Sequence, residues 1–322
     1  MLYPTPVRLA HLTDVHLLAL DGSRLRDFVN KRWAGGLNIL VNRGRHHLAE
    51  VFDALVDDIN ALGIEQVACT GDVTNLSLAS EFRFARAHFD RIAVGPANTL
   101  CVPGNHDNYV AEVAGVFEEV FAPYCAPDPE WSWPDGAAWP AVRVRGELAL
   151  VGLTTSQPSG LLMGHGTVGA EQLARLAQVL ADLRLAGQFR VVVMHHPSAG
   201  RHARSFRRGL RDHAAFADVI RGVGAELILH GHEHLDLRNQ LAGPDGPVPV
   251  HGVQSGSYAI DSGRRRARYR VYTIEPGSGG PTGLRPVGGE AKRSPLIRPR
   301  LARVETRTWR PARANFEVEA VL

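Results

Sequence analysis

Short apolar runs alternate with amphipathic stretches along the first half of this chain: Val7 to Leu12, His46 to Leu62, Gln66 to Thr70, Ala79 to Ile92 and Thr99 to Val102. The runs have strand length and the stretches between them carry a helical period, which predicts an α/β layered fold built on a substantial sheet. Leu148 to Leu153, Arg190 to Met194 and Glu226 to His230 continue the strand signal, with helices expected over Ala170 to Leu185 and Leu210 to Val223. Beyond His234 the pattern changes to period-two segments around the turn Gly243 to Gly246, then Val248 to Val253 and Ala267 to Ile274. That later portion reads as antiparallel, so two sheets flanked by helices are expected.

Ligands of open α/β sheets gather at strand carboxyl ends, which makes the residues there the informative ones. Five pieces stand at such ends: Asp14-Val15-His16, Gly71-Asp72, Gly104-Asn105-His106-Asp107, His195-His196-Pro197 and Gly231-His232-Glu233-His234. Any one of them alone is an ordinary turn or helix cap. Together they offer carboxylate, amide and imidazole donors at sites a sheet can converge, a mixture that suits manganese, iron or zinc.

With 322 residues, 44% hydrophobic and 21% charged, the composition excludes a mainly disordered, collagenous or coiled-coil chain. One catalytic domain over residues 1–275 is expected, then a Gly/Pro-rich linker over 276–289 and a basic tail over 290–322 that adds a strand or stays loose. No apolar run approaches the length of a membrane span, and Arg8, His11 and Asp14 interrupt any leader-like segment. The three cysteines, Cys69, Cys101 and Cys125, are widely spaced, and two lie in apolar strands, which points to buried thiols in a cytoplasmic setting.

In order and approximate spacing, D-x-H, G-D, G-N-H-D, H-x-P and G-H-x-H, the five pieces resemble the calcineurin-like metallophosphoesterases, from about Leu9 to Tyr272. The resemblance implies a four-layer α/β/β/α sandwich with a dinuclear centre of two divalent or trivalent ions (Mn, Fe or Zn). It implies Asp14, His16 and His234 on the first ion, Asn105, His195 and His232 on the second, and Asp72 bridging. Only a carboxylate has two anionic oxygens to span two cations, and Asn105 lends a neutral carbonyl oxygen. The reaction implied is hydrolysis of a phosphodiester or pyrophosphate bond by a metal-bound hydroxide, with His106 on the leaving-group side. His232 and His234 leave a strand two residues apart, so a splaying turn is required, with Gly231 expected to supply its flexibility. His196 is expected to be packed or backbone-bonded, and Asp107 to orient the loop or a ligating histidine.

Asn75 and Leu76 stand where the protein-phosphatase branch carries aspartate and arginine, so the smaller bacterial phosphodiesterase and pyrophosphohydrolase branches look closer. The expected substrate is a small nucleotide-type diester, either a cyclic nucleotide or a nucleotide-lipid such as UDP-diacylglucosamine. A basic helical insertion at about 22–45, with Trp33 among its apolar residues, would cap the site, grip a lipid phosphate and touch a membrane peripherally. The alternative is an ordinary amphipathic helix pair with solvated arginines. Arg207 and Arg208, following the His195 piece, are candidates for a second phosphate, since arginine forks suit phosphate oxygens. Arg264 to Arg270 reads as a charged hairpin edge that resists pairing. Nucleic acid is not expected as a partner, for lack of interleaved aromatics. Two further readings remain, a non-catalytic scaffold on the same fold and a manganese-dependent nuclease.

Overall fold

The computed structural model describes residues 5–21, 47–158, 163–260, 265–277 and 298–322. Two six-stranded sheets form its middle. The first has the order β12-β11-β10-β1-β2-β3, with β1 (Val7–Leu12), β2 (Gln66–Cys69), β3 (Thr99–Cys101), β10 (Arg268–Glu275), β11 (Arg300–Arg310) and β12 (Asn315–Val321). The second runs β4-β5-β6-β7-β9-β8, with β4 (Ala141–Arg145), β5 (Leu148–Gly152), β6 (Phe189–Val193), β7 (Leu227–His230), β8 (Leu237–Gly243) and β9 (Gly246–Gly252).

The period-two pattern places the layers. In β5 and β6, Leu148, Leu150, Phe189, Val191 and Val193 join the core between the sheets, together with Leu9 of β1. Their alternates Ala149, Val151 and Val192 face outward and bury Leu173, Leu176 and Leu180 of one helix (Ala170–Leu185) and Phe216 and Ile220 of another (His213–Val223). The first sheet is covered by the helices Ala49–Ala61 and Ala79–Phe89 through Phe52, Leu55, Phe82 and Phe89. The result is the expected α/β/β/α sandwich. The insertion at about 22–45 lies outside the described residues, so Trp33 has no described placement.

The β1-β2-β3 and β5-β6-β7-β9 pairings are parallel, so their carboxyl ends share one edge of each sheet, where all five polar pieces sit. Two features depart from the sequence reading. Arg268 and Arg270 lie in β10, an interior strand between β1 and β11, instead of at a free edge. They are accommodated by distant carboxylates: Arg268 pairs with Asp236 and Glu319, and Arg270, 1% exposed, lies 3.3 Å from Asp236. The C-terminal segment adds two strands, β11 and β12, to the first sheet, with Trp309 and Phe316 buried against its core.

Candidate metal centre

Seven side chains converge where the two sheets' carboxyl edges meet. His16 Nε2 lies 3.1 Å from His234 Nε2, and Asp14 Oδ1 lies 3.2 Å from the same nitrogen. In a second group, His195 Nε2 is 3.1 Å from both Asn105 Oδ1 and His232 Nδ1. Asp72 Oδ2 stands between the groups, 3.7 Å from His16 Nε2 and 3.5 Å from His195 Nε2. All seven sequence candidates for metal binding are therefore brought together, divided three and three about Asp72.

The donor chemistry fits cations. His16 Nδ1 faces the Thr74 carbonyl at 3.1 Å and His195 Nδ1 faces the Thr70 carbonyl at 2.7 Å. A carbonyl only accepts, so each Nδ1 carries the proton and each Nε2 turns a lone pair toward the centre. Lone pairs facing each other at 3.1 Å repel unless a cation lies among them. Burial lowers the pKa of His195 and His232, which keeps both imidazoles neutral as ligands must be. Burial opposes ionisation of Asp14, yet His234 and the Thr13 hydroxyl hold its carboxyl well below the usual carboxylate range. Asp14 Oδ1 is fully buried without an aligned hydrogen-bond donor, an anionic oxygen left for a cation.

His196 belongs to the same cluster of imidazoles but is already engaged. Its Nδ1 meets Thr155 Oγ1 at 2.7 Å and its Nε2 meets the Gly164 carbonyl at 3.0 Å, so it has no lone pair to spend on a metal.

Backbone strain is concentrated here. Asp14, His16, Asp72, His232 and His234 all adopt positive φ, between 44° and 72°, a conformation that costs a non-glycine residue about 1–2 kcal/mol. This splays His232 and His234 onto different groups, and it corrects the role expected of Gly231. That glycine is required for close approach: a Cβ there would stand 1.9 Å from Thr13 Oγ1 and 2.6 Å from Asp14 Oδ2.

His106 sits beside the first group, its ring edge-on to His16 at 4.9 Å and stacked on Tyr109 at 5.3 Å. Its backbone N–H donates to Asp72 Oδ1 at 2.7 Å, and its Nδ1 donates to the Asn75 carbonyl at 2.6 Å. Asn75, which stands where the protein-phosphatase branch carries aspartate, thus gives His106 an acceptor through its backbone carbonyl. Asp107 is buried and ties two loops together, accepting from Gly104 N, Val73 N, Thr74 N and Thr74 Oγ1. Burial pushes its carboxyl up to about 6 against these four donors.

Of the two arginine candidates, Arg208 reaches the second group. Its Nη2 donates to the His232 carbonyl at 2.9 Å, its Nε lies 3.5 Å from Glu233, and half of its side chain stays exposed. Arg207 is exposed, and its carbonyl accepts from Gly164 N. Sequence reasoning missed His47, which is buried edge-on to His16 and His234 with Nδ1 2.9 Å from Ser257 Oγ. It also missed the Ser255 and Ser257 hydroxyls, which donate to the Asp14 and Val15 carbonyls. The serine-glycine-serine run at 255–257, just beyond a strand, was the available signal.

The profile of the calcineurin-like phosphoesterases matches residues 7–236. The chain belongs to that family. It is a metal-dependent phosphoric ester hydrolase. A cAMP/cGMP dual specificity phosphodiesterase of Mycobacterium tuberculosis is 26% identical over 257 residues, covering 79% of this chain and 68% of that protein. Among solved structures, a dimetal phosphatase from Danio rerio superimposes with a TM-score of 0.56 at 12% identity, over 84% of this chain and 93% of that one. A purple acid phosphatase from yellow lupin gives 0.55 at 12% identity, over 99% of this chain and 53% of that one. At such identities the structural likeness speaks for the fold. Among the described residues no helix is long and apolar enough to cross a membrane.

Proposed function

We propose that this chain hydrolyses a small phosphodiester of the cyclic-nucleotide type at a two-metal centre. Asp14, His16 and His234 would hold one ion, Asn105, His195 and His232 the other, and Asp72 would serve both. The observation that carries the reading is the placement of Asp72 Oδ2 between two groups of inward-facing lone pairs. When bound, two such ions offset the charge of the transferring phosphoryl group and make a water nucleophilic near neutral pH.

The protein's own groups divide the remaining work. His106 keeps its Nδ1 proton on the Asn75 carbonyl, so Nε2 is the atom that would give a proton to the leaving oxygen as the P–O bond breaks. Arg208, fixed to the His232 carbonyl yet half exposed, would hold a non-bridging phosphate oxygen. The relationship to a cAMP/cGMP phosphodiesterase supports the cyclic-nucleotide class. The nucleotide-lipid alternative and the membrane contact depended on the insertion at about 22–45 and on Trp33, which lie outside the described residues.

The test is side-by-side turnover of cyclic AMP and UDP-diacylglucosamine by manganese-loaded protein, with Asp72→Ala as control. Hydrolysis of the cyclic nucleotide, abolished by the substitution, is expected. Turnover of the nucleotide-lipid alone would overturn the substrate class, and activity retained by Asp72→Ala would overturn the shared-carboxylate reading.

A further inference from the structure

We propose that Glu81 is a positioning residue for His106, acting through the loop 75–78; the inference rests on the leaving-group role given above to His106. Glu81 Oε2 accepts from Leu76 N at 2.9 Å and from Leu78 N at 3.1 Å. These two amides flank Ser77, whose φ of 55° is unfavourable for any residue but glycine and needs external support. The loop so held contacts His106 at two atoms. The Asn75 carbonyl accepts from Nδ1 at 2.6 Å, and Ser77 Oγ donates to the His106 carbonyl at 2.6 Å. Ser77 Oγ also accepts from the N–H of Tyr109, the residue whose ring stacks on His106.

A plainer role is available, since Glu81 is the third residue of the helix Ala79–Phe89 and reaches back to the N–H of Leu78 as in a capping box. Capping alone does not explain the arrangement. Leu78 has no side-chain oxygen to complete the reciprocal bond, the carboxyl is 0% exposed, and it accepts a second N–H, from Leu76, that lies outside the helix. A carboxylate withdrawn from water is costly, and a surface glutamate would cap the helix as well. What Glu81 adds is the fixed geometry of the 75–78 turn, hence the direction in which the Asn75 carbonyl aims the His106 ring.

The consequence is specific. If Glu81 works by aiming a proton donor at the leaving oxygen, its removal matters most when the leaving oxygen is basic and little when it is a good leaving group. Glu81→Ala, Glu81→Gln, His106→Ala and the double substitution Glu81→Ala with His106→Ala would be compared on cyclic AMP and on bis(p-nitrophenyl) phosphate. Metal content and KM are measured alongside. General acids contribute about 10²- to 10⁴-fold, so misaiming one should lower kcat for cyclic AMP by at least ~10-fold. The loss on the activated diester should be under ~3-fold, with two ions still bound. The glutamine variant keeps an acceptor oxygen and should recover most of the loss. In the His106→Ala background, Glu81→Ala should have no further effect, because groups acting as one unit are non-additive.

Equal losses on both substrates, or a full additional loss in the double variant, would overturn the proposal and leave a capping role. Undiminished cyclic AMP turnover by His106→Ala would instead overturn the reading of His106 itself, so the two failures are distinguishable. If Glu81→Ala does not fold, Glu81→Asp, whose shorter side chain draws the acceptor back from the Leu76 and Leu78 amides, carries the comparison on the same substrate pair, and an equal loss on both substrates refutes the idea.

Discussion

Replacing Asp107 with alanine tests whether one buried carboxylate keeps the metal-side loops in register. Its Oδ2 accepts from Gly104 N at 2.9 Å and Val73 N at 3.2 Å, and its Oδ1 accepts from Thr74 N and Thr74 Oγ1, both at 2.9 Å. Alanine leaves three buried backbone N–H groups without an acceptor, whereas the Thr74 hydroxyl still has the His106 carbonyl at 3.0 Å. Each buried unsatisfied donor costs about 1–3 kcal/mol. Taking the low end for all three, because a water could refill part of the space, the expected loss is about 3–4 kcal/mol. Asparagine keeps one acceptor oxygen but turns an amide N–H₂ against the donors at the other, so it should lose roughly 2 kcal/mol. The assay is urea unfolding of the chelator-treated protein, read as a shift of midpoint at unchanged slope. Val73 adjoins Asp72 and Gly104 adjoins Asn105, so both variants should also gain less stability from manganese than the parent does. A loss below about 1 kcal/mol for Asp107→Ala would refute the reasoning, since those N–H groups would then not depend on the carboxylate.

Three further outcomes follow from the same geometry. Chelated protein should gain stability on manganese addition, about 2.7 kcal/mol for each ion at a hundredfold excess over its Kd, and His195→Ala should reduce the bound metal from two ions per chain to one by elemental analysis; retention of two ions would place the second ion elsewhere. Arg208→Ala should raise KM for a diester roughly 10- to 100-fold, from the loss of one charge-assisted hydrogen bond, with a much smaller change in kcat; an unchanged KM would remove Arg208 from the substrate contacts. Burial raises the Glu81 carboxyl from 4.5 to about 7. A raised folded pKa means that its stabilisation is complete below pH 4.5 and is lost as pH rises through about 7, at most roughly 3 kcal/mol at 1.36 kcal/mol per unit. Glu81→Gln should therefore flatten the fall in stability of the chelated protein between pH 5 and 8, and parallel curves for the two proteins would contradict the raised pKa.

The legible parts of this molecule are those whose cause is local. The helix Ala170–Leu185 and the strands before Asp14, Asp72, Asn105, His195 and His232 declare themselves through periodicity within a few residues, and a strand's carboxyl end is where a sheet can gather donors. The strand Ala141–Arg145 was hidden because five residues of alternating arginine follow a Trp- and Pro-rich stretch that reads as loop. Arg268 and Arg270 looked like an edge device because nothing near them neutralises charge; Asp236 and Glu319, 32 and 51 residues from Arg268, do so. The same distance effect governs the site. That Asp14 and Asp72 could ligate a metal follows from their chemistry, but that His47 leans on His16 follows from Ser257, 210 residues away. Positive φ at five of the seven convergent residues marks the point where local preference and function part. Propensity argues against a left-handed aspartate or histidine, and at His232 and His234 the fold imposes it because an extended strand cannot turn two side chains two residues apart toward different groups of donors. A sequence can show which residues are able to bind a cation; the strain that aims them is a property of the packed loops, and so are the amide donors that Asp107 and Glu81 collect to hold those loops still.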